Sequence, residues 1–372
     1  MKRVLFSVLI LIGIIVSTQA FSHYASVALA EKLQSLDTKE AMYYEKMDGK
    51  KVRCVLCPRR CVIADKKRGF CRSRENRDGV LYSLVYGKPC AVHVDPIEKK
   101  PLFHVLPGTK SFSIATAGCN LACKFCQNWQ ISQASPEEVP YDELSPEDLI
   151  ALTSSSGSAS IAYTYTEPTI FYEYMLDTAK LARKRGILNV MHSAGFINEK
   201  PLRELCKYLD AANIDLKGSD KFYDDMCLGK REDVLRSLEI LREEGVWLEI
   251  TCLIIPTLSD DMSYIRETCI WIKEHLGSDT PVHFARFWPM YKLANLSPTP
   301  VSTLEKARKI AVEAGLRYVY IGNIPGHKGE TTFCPGCGKP LVERMGYSIV
   351  GYNIKDGKCK FCDERIAGIW ER

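Results

Sequence analysis

The sequence lacks a strong charge imbalance and any run of basic residues. Its 372 residues contain 50 Lys and Arg against 45 Asp and Glu, which gives a formal net charge of +5. So small an excess of one sign does not predict binding to nucleic acid. The hydrophobic fraction of 46% is ordinary for a globular protein. The length allows one large domain with small appendages.

Long apolar runs are also scarce, and the one that stands out lies at the N-terminus. Two basic residues precede an apolar run over residues 4–16, and polar and small residues follow it. This order is typical of a signal peptide. The run is short for a membrane-spanning helix, although residues 21–30 could extend it. We therefore expect residues 1–30 to be a signal peptide or membrane anchor and residues 31–50 to be a stalk.

These N-terminal features predict a protein that is membrane-associated or exported. A twin-arginine pair is missing, since Lys2 stands before Arg3. The sequence leaves the side of the membrane open.

Cysteine, by contrast, is abundant. Eleven of the 16 cysteines fall into three groups, and closely spaced cysteines in a long chain favour metal binding over a disulfide framework. The three groups are Cys54, Cys57, Cys61 and Cys71; Cys119, Cys123 and Cys126; and Cys334, Cys337, Cys359 and Cys362. We expect the remaining five to be small buried hydrophobic residues. These are Cys90, Cys206, Cys227, Cys252 and Cys269.

From about residue 110 the hydrophobic pattern alternates between strands and helices. About six such βα units predict a parallel sheet covered by helices. Because six units fall short of a closed barrel, the expected fold is a partial (β/α)6 barrel over residues 106–325, with its site at the carboxyl ends of the strands. Residues 51–105 are expected to form an N-terminal Cys-rich metal-binding module. Residues 326–372 are expected to form a C-terminal zinc-ribbon-like module.

The middle cysteine group has the spacing Cys119-x3-Cys123-x2-Cys126 and follows the first predicted strand of the barrel. Three thiolates leave one iron of a [4Fe–4S] cluster without a protein ligand, and S-adenosylmethionine (SAM) can bind that iron. Electron transfer into SAM then yields a 5′-deoxyadenosyl radical. A zinc knuckle is the alternative, and it is disfavoured because no fourth cysteine lies nearby in the sequence. Phe125 is expected to shield the cluster.

The stretch from Cys119 to Asn128 resembles the radical SAM superfamily. Within it, the chain is most similar to pyruvate formate-lyase activating enzymes and to the radical SAM member of the AmmeMemoRadiSam system, the latter over nearly the whole chain after residue 50. Further segments that carry the resemblance are 54–61, 68–71, 163–168, 214–217 and the terminal cysteine pairs.

The resemblance implies an enzyme that abstracts hydrogen, with a protein as one candidate substrate. It also implies an electron donor such as flavodoxin or ferredoxin, and AMMECR-like and Memo-like proteins as candidate partners. A different class of function stays open, namely a metal-bearing scaffold of the AmmeMemoRadiSam system that does not cleave SAM. Reductive SAM cleavage distinguishes the two.

Glu167 and Pro168 end the second predicted strand, where activating enzymes carry Gly-Gly-Glu-Pro. Here Tyr165 and Thr166 replace the two glycines. By resemblance this loop is expected to bind SAM. The alternative is an ordinary helix start, with Pro168 in the first turn and Glu167 next to the helix dipole.

Asp215 and Lys217 are two residues apart on a predicted strand and therefore share one face. By resemblance, Lys217 is expected to pair with the SAM carboxylate, and Asp215 to bind a polar group or cation nearby. The alternative is a structural ion pair. Ser193 corresponds to a SAM-binding position of the activating enzymes. His192 and His283 are expected either to face SAM or substrate or to be satisfied core histidines.

The two outer cysteine groups have different spacings. The C-terminal group consists of two C-x-x-C pairs, which is typical of a four-cysteine zinc ribbon, with a second iron–sulfur cluster as the alternative. The N-terminal group places four cysteines within 18 residues, from Cys54 to Cys71. Zinc is the expected metal there too, and an auxiliary cluster stays open.

Overall fold

The computed structural model describes residues 39–371. Within this range no helix is long and apolar enough to cross a membrane. The predicted membrane association is therefore wrong for the described part of the chain. The expected signal peptide or anchor over residues 1–30 lies outside the described residues.

The N-terminal part of the described chain is built from short antiparallel strands. Strands β1, β2 and β3 form one small sheet, and β4 and β5 form a hairpin. Their bounds are β1 Tyr44–Lys46, β2 Val52–Cys54, β3 Val62–Ile63, β4 Arg74–Arg77 and β5 Val80–Ser83. Strands this short bury little apolar surface, so the stability of the module depends on its contacts with the central sheet.

The central element is an eight-stranded open sheet. Its strands are β6 Ala91–Pro96, β7 Lys110–Ala115, β8 Ser160–Tyr163, β9 Leu188–Ser193, β10 Ala211–Asp215, β11 Trp247–Ile254, β12 Val282–Arg286 and β13 Val319–Gly322. Strands β6 to β13 lie in sequence order across the sheet. All neighbours from β7 to β13 pair in parallel, while β6 pairs antiparallel with β7.

Helices connect the parallel strands, as the alternating pattern predicts. The helices are α1 Trp129–Ser132, α2 Pro146–Ser155, α3 Tyr172–Lys184, α4 Glu199–Cys206, α5 Asp220–Phe222, α6 Arg231–Glu243, α7 Met262–Leu276 and α8 Val301–Glu313. Six of them, α2, α3, α4, α6, α7 and α8, cross from one parallel strand to the next. The predicted α/β fold with six βα units is confirmed. The domain boundaries stay predictions, and β6 joins the central sheet although it lies before residue 106.

The strands are largely buried because helices cover the sheet. Every residue of β8 is buried, as are five of the six residues of β7. Such continuous burial is usual in parallel sheets that are covered on both faces. The large hydrophobic core runs from the central sheet into the N-terminal strands, where it includes Val52, Ile63 and Leu81.

The amino ends of the strands are closed by a buried polar network. Glu249, near the start of β11, accepts hydrogen bonds from the backbone N–H groups of Phe103 and His104 at 3.0 and 2.8 Å. Its carboxylate also contacts Nε2 of His283 at 2.7 Å. Arg344 donates to the carbonyl of Phe103 at 2.7 Å. The C-terminal module is therefore attached at the amino ends of the strands, and the carboxyl ends stay free for a site.

The C-terminal module is again made of short strands. Its strands are β14 Thr332–Phe333, β15 Pro340–Met345, β16 Ser348–Tyr352, β17 Ile354–Lys355 and β18 Lys358–Cys359. Its own hydrophobic core is small and includes Tyr318 and Tyr320 from the β13 region.

Candidate active site

Four neighbouring strands end at the same edge of the sheet, and each contributes to one site. The cysteine loop follows β7, Glu167 follows β8, Ser193 ends β9 and Asp215 ends β10. The carboxyl ends of adjacent parallel strands lie side by side, so residues far apart in the sequence meet here.

Gly118 starts the cysteine loop in a conformation that requires glycine. Its φ is +99°, and a Cβ would lie 2.4 Å from the carbonyl oxygen of Cys71 and 2.3 Å from Oγ of Ser73. The backbone of the loop therefore packs directly against the N-terminal module. The hydrophobic pattern of residues 111–117 predicts a strand over that range, whereas β7 ends at Ala115 because the chain turns away from the sheet towards Gly118.

The middle of the loop is held by backbone hydrogen bonds. The N–H groups of Ala122 and Lys124 donate to the carbonyls of Cys227 and Met226, both at 2.9 Å. The acceptors lie in a π-helical turn, Tyr223–Cys227. Phe125 is buried and packs against Phe222, with ring centroids 5.5 Å apart.

The three thiols of the loop are spread apart. Cys119 Sγ accepts a hydrogen bond from the N–H of Leu121 at 3.3 Å, and Cys126 Sγ lies 3.2 Å from Oγ of Ser132. Within residues 39–371, the three thiols do not form a group whose sulfurs all lie within 4.8 Å of one another. Burial, helped by the charge of Glu167, raises the pKa of Cys119 well above its usual value.

A fourth thiol, Cys227, lies next to the loop. Cys227 is fully buried, and its thiol lies close enough to Cys123 to lower the pKa of the Cys123 thiol. No fourth cysteine is near the loop in the sequence, but the fold brings Cys227 next to it. Polar neighbours of a ligand sulfur tune the potential of a cluster.

Glu167 is fully buried, and hydrogen bonds engage both of its carboxylate oxygens. The N–H and Oγ1 of Thr169 donate to Oε1 at 3.1 and 2.7 Å. Oγ of Ser193 donates to the same oxygen at 2.7 Å, and the N–H of Ala194 donates to Oε2 at 2.8 Å. Four bonds occupy the acceptor capacity of a carboxylate. Glu167 therefore caps the helical turn 168–171 and fixes the end of β9 against that of β8.

Asp215 and Lys217 form an ion pair, with Oδ2 and Nζ 2.7 Å apart. The other oxygen of Asp215 lies 3.1 Å from Nε2 of His192. Strand β10 ends at Asp215, so the shared face predicted for the two residues is not the reason that they meet. The hydroxyl of Tyr223 fixes the turn by accepting from the N–H of Lys217 at 3.1 Å and donating to the carbonyl of Asp215 at 3.3 Å.

Each residue of the Asp215–Lys217 pair stabilises the ionised form of the other. Burial raises the pKa of Asp215, but the nearby Lys217 and His192 lower it more, so its pKa lies well below the usual value. Burial lowers the pKa of Lys217, but Asp215 and the neighbouring thiolates raise it more, and its pKa lies above the usual value. Both groups are therefore ionised at neutral pH. The Lys217 ammonium lies 5.9 Å from the ring centroid of Phe125, beside the cysteine loop.

His283 lies elsewhere. It is buried in the network around Glu249 at the amino ends of the strands, away from the cysteine loop. Of the two histidines singled out in the sequence, the structure brings only His192 to the site.

Comparison with known proteins identifies the family. A family model described as the Radical SAM superfamily matches residues 113–268. An uncharacterized protein of Methanocaldococcus jannaschii is 48% identical over 330 residues, which are 88% of this chain and 98% of that protein. The chain belongs to the radical SAM superfamily. The predicted membership is confirmed, and with it an enzyme family that uses a [4Fe–4S] cluster and SAM.

More distant relatives are activating enzymes. A pyruvate formate-lyase-activating enzyme of Clostridium pasteurianum is 29% identical over 167 residues, 42% of this chain and 66% of that enzyme. A domain of a pyruvate-formate lyase-activating enzyme from Bacteroides vulgatus has a TM-score of 0.40 and 16% identity, and the match covers 45% of this chain and 100% of that chain. The likeness to the AmmeMemoRadiSam system stays a prediction.

The radical SAM loop has the donors that a cubane needs. Three buried or half-buried thiols share one loop, they are spaced more widely than the ligands of a single ion, and N–H and hydroxyl groups surround them. Cys119, Cys123 and Cys126 would hold the cluster. Glu167, Ser193, Asp215 and Lys217 lie around the same edge of the sheet, and their roles in SAM binding stay predictions.

The C-terminal cysteines form the most compact thiol group. Sγ of Cys334 lies 3.6 Å from that of Cys362, and Sγ of Cys337 lies 3.8 Å from that of Cys359. All four sulfurs lie within 4.8 Å of one another. This group could hold one metal ion.

The N-terminal cysteines lie next to the radical SAM loop. Cys54, Cys57, Cys61 and Cys71 line one cavity together with Asn120, the residue after the first cysteine of the loop. Arg59 of the same module donates hydrogen bonds to the carbonyls of Asn120 and Leu228. The N-terminal module is therefore part of the wall around the active site.

Two residues of the site carried no signal in the sequence. Cys227 and Tyr223 lie in a π-helical turn without strand or helix periodicity. Their place in the site follows only from the contacts that the π-helical turn makes with the cysteine loop and with Lys217.

We predict that Glu167→Gln lowers the stability of the protein. An amide keeps the shape but presents an NH2 group to backbone and hydroxyl donors, which should cost about 1–3 kcal/mol or more because the lost acceptor is charged and buried. Thermal unfolding of matched preparations measures the loss. Glu274→Gln, on the exposed side of α7, is the control. Equal melting temperatures for Glu167→Gln and the parent would contradict the assignment of Glu167 as a structural acceptor.

Proposed function

We propose that this protein is a radical SAM enzyme that cleaves SAM reductively and abstracts a hydrogen atom from its substrate. One observation carries the proposal. The three-cysteine loop, the Asp215–Lys217 ion pair and the Glu167–Ser193 pair lie at the carboxyl ends of four adjacent parallel strands. A scaffold that had lost SAM cleavage would not need a half-buried charged pair beside the loop, because removing charges from water is costly even when the removal is partial.

A [4Fe–4S] cluster held by Cys119, Cys123 and Cys126 would supply the one electron that splits SAM into methionine and the 5′-deoxyadenosyl radical. The residues of this chain hold the reactants for that chemistry. Lys217 presents a compact positive charge suited to the carboxylate of SAM. Asp215 keeps this ammonium in place and remains ionised. Glu167 and Ser193 fix the loop and strand ends against which SAM would lie, and buried Phe125 helps to exclude water.

The proposed substrate is a protein or peptide, as for an activating enzyme. The support is the partial sequence similarity to a pyruvate formate-lyase-activating enzyme. The electron comes from a low-potential donor such as flavodoxin or ferredoxin. AMMECR-like and Memo-like proteins stay the proposed partners.

Reductive SAM cleavage tests the proposed activity. The parent protein, reconstituted without oxygen and reduced with dithionite, should convert SAM into 5′-deoxyadenosine and methionine. Changing Cys119, Cys123 and Cys126 together to Ala should abolish the products and remove about four irons per chain, because the open-iron cluster loses all three ligands. Cys90→Ala, a half-buried cysteine outside the three groups, is the control. An iron-loaded parent that forms no 5′-deoxyadenosine would favour the scaffold function.

Lys217→Ala tests how SAM is held. Losing one charge-assisted hydrogen bond should cost roughly 1.5–3 kcal/mol, or about tenfold to a hundredfold in SAM affinity, with iron content unchanged. Lys221→Ala is the matched control because Lys221 is largely exposed on the next turn. SAM titrations at equal iron content give the affinities, and melting curves report stability. Unchanged affinity with a lower melting temperature would show that the pair with Asp215 is purely structural.

We further propose that the C-terminal group binds zinc. Thiolates about 2.3 Å from a tetrahedral zinc lie about 3.8 Å from one another. The distances of 3.6 and 3.8 Å between its sulfurs agree with this spacing. Backbone N–H groups of Cys337 and Phe361 point at the sulfurs of Cys334 and Cys359, at 3.5 and 3.4 Å. Such N–H groups are the usual surroundings of a thiolate ligand.

Removal of the two exposed ligands tests this site. Cys337→Ser with Cys362→Ser should lower the zinc content by about one ion per chain and leave the iron content unchanged, because zinc at a structural site needs four ligands. Metal analysis by mass spectrometry measures both metals, with Cys90→Ser as control. Loss of iron with zinc unchanged would assign the site to a cluster instead.

A further inference from the structure

The two four-cysteine groups outside the radical SAM loop differ in the spacing of their thiols. Within residues 39–371, one group of three or more potential ligands has all its donor atoms within 4.8 Å, and it is the C-terminal group. No three sulfurs of Cys54, Cys57, Cys61 and Cys71 meet that limit. In this respect the N-terminal group resembles the radical SAM loop, whose three thiols are also too widely spaced for one ion.

The spacing indicates what each group can hold. A single zinc ion draws its four thiolates into one small tetrahedron. A cubane places four irons and four sulfides between its ligands, so their sulfurs stay much further apart. The C-terminal group has the first arrangement, and the N-terminal group, in which no three sulfurs lie that close together, does not have it.

The N-terminal thiols face one shared cavity. All four of these cysteines line it. Apolar side chains of Leu56, Ile63 and Ile170 cover part of its wall. A dry, thiol-lined cavity is the environment in which iron–sulfur clusters are held.

Positive charge lies around this cavity. Arg59 and Arg74 both line it. Arg74 is fully buried and pairs with Glu173 at 2.6 Å, while Arg59 lies over the ring of Phe70, 3.5 Å from its centroid. The Arg59 guanidinium is thus the positive group that offsets the charge of four thiolates.

We propose that Cys54, Cys57, Cys61 and Cys71 bind a second [4Fe–4S] cluster. This assignment replaces zinc, the metal expected there from the sequence. Four protein ligands leave no open iron, so this cluster does not bind SAM. The proposal does not depend on SAM cleavage by the first cluster.

The second cluster would lie directly beside the first. The backbone of Gly118 packs against the carbonyl of Cys71, so neighbouring residues of the two ligand sets are in contact. Oγ of Ser73 donates to the carbonyl of Ala117 at 2.8 Å and closes the same interface. Two centres this close could exchange one electron, with no bond made or broken.

Metal analysis of the full-length protein tests the proposal. After reconstitution without oxygen with iron and sulfide, in the presence of zinc, the parent should hold about eight irons, four for each cubane. The variant with Cys119, Cys123 and Cys126 changed to Ala should retain about four irons. Adding Cys57→Ala and Cys61→Ala to this triple variant should remove the remaining four irons as well. A Cys119/Cys123/Cys126 variant without iron but with two zinc ions would overturn the proposal.

Electron paramagnetic resonance of the reduced parent gives a second readout that needs no variant. Two cluster signals are expected, and SAM should change one of them, because only the cluster with an open iron can bind it. A single signal with about four irons per chain would contradict the second cluster. If the second cluster is present but the proposed function is wrong, the result is different: the protein shows two cluster signals but forms no 5′-deoxyadenosine from SAM. Cys206→Ser, a buried cysteine outside every group, controls for the loss of a thiol.

Discussion

The order of the parallel strands is the constraint on which the candidate site depends. Strands β7 to β10 are neighbours in the sheet, and the chain leaves each of them at the same edge. Parallel pairing fixes the strand spacing, so the cysteine loop, Glu167, Ser193 and Asp215 must lie side by side. The buried carboxylate of Glu167 then links the ends of β8 and β9 through hydrogen bonds. The opposite end of the sheet is closed by the network around Glu249 and by the C-terminal module.

Sulfur spacing assigns different chemistry to three cysteine groups in one chain. A compact tetrahedron suits a single ion, and wider sets suit clusters. The two proposed cluster sites share an interface, whereas the compact group packs against the strand starts near Tyr318 and Tyr320. The structure thus separates the proposed cluster sites at the carboxyl ends of the strands from the compact thiol group at the amino ends.

Contacts around the radical SAM loop come from parts of the chain that have no sequence motif. The π-helical turn supplies backbone carbonyls to the loop, a thiol to Cys123 and a hydroxyl to the Asp215–Lys217 turn. The N-terminal module supplies Arg59 and the close contact at Gly118. The loop is therefore held from two sides, and this keeps three thiols in place for one cluster.

The sequence by itself determined the family, the α/β class and the three cysteine groups. These features are local. The C-x3-C-x2-C spacing, the paired C-x-x-C motifs and the alternating strand and helix patterns each depend only on residues close together in the sequence. Some strands end a few residues before their predicted ends, as at Ala115 and Asp215. The chain leaves the sheet there because the following loop makes contacts outside it. Only the tertiary structure decided that Cys227 lies beside Cys123 and that His283 lies away from the site. It also decided that no three of the N-terminal thiols lie within 4.8 Å of one another. These facts depend on distances between residues remote in sequence, and spacing along the chain does not encode such distances.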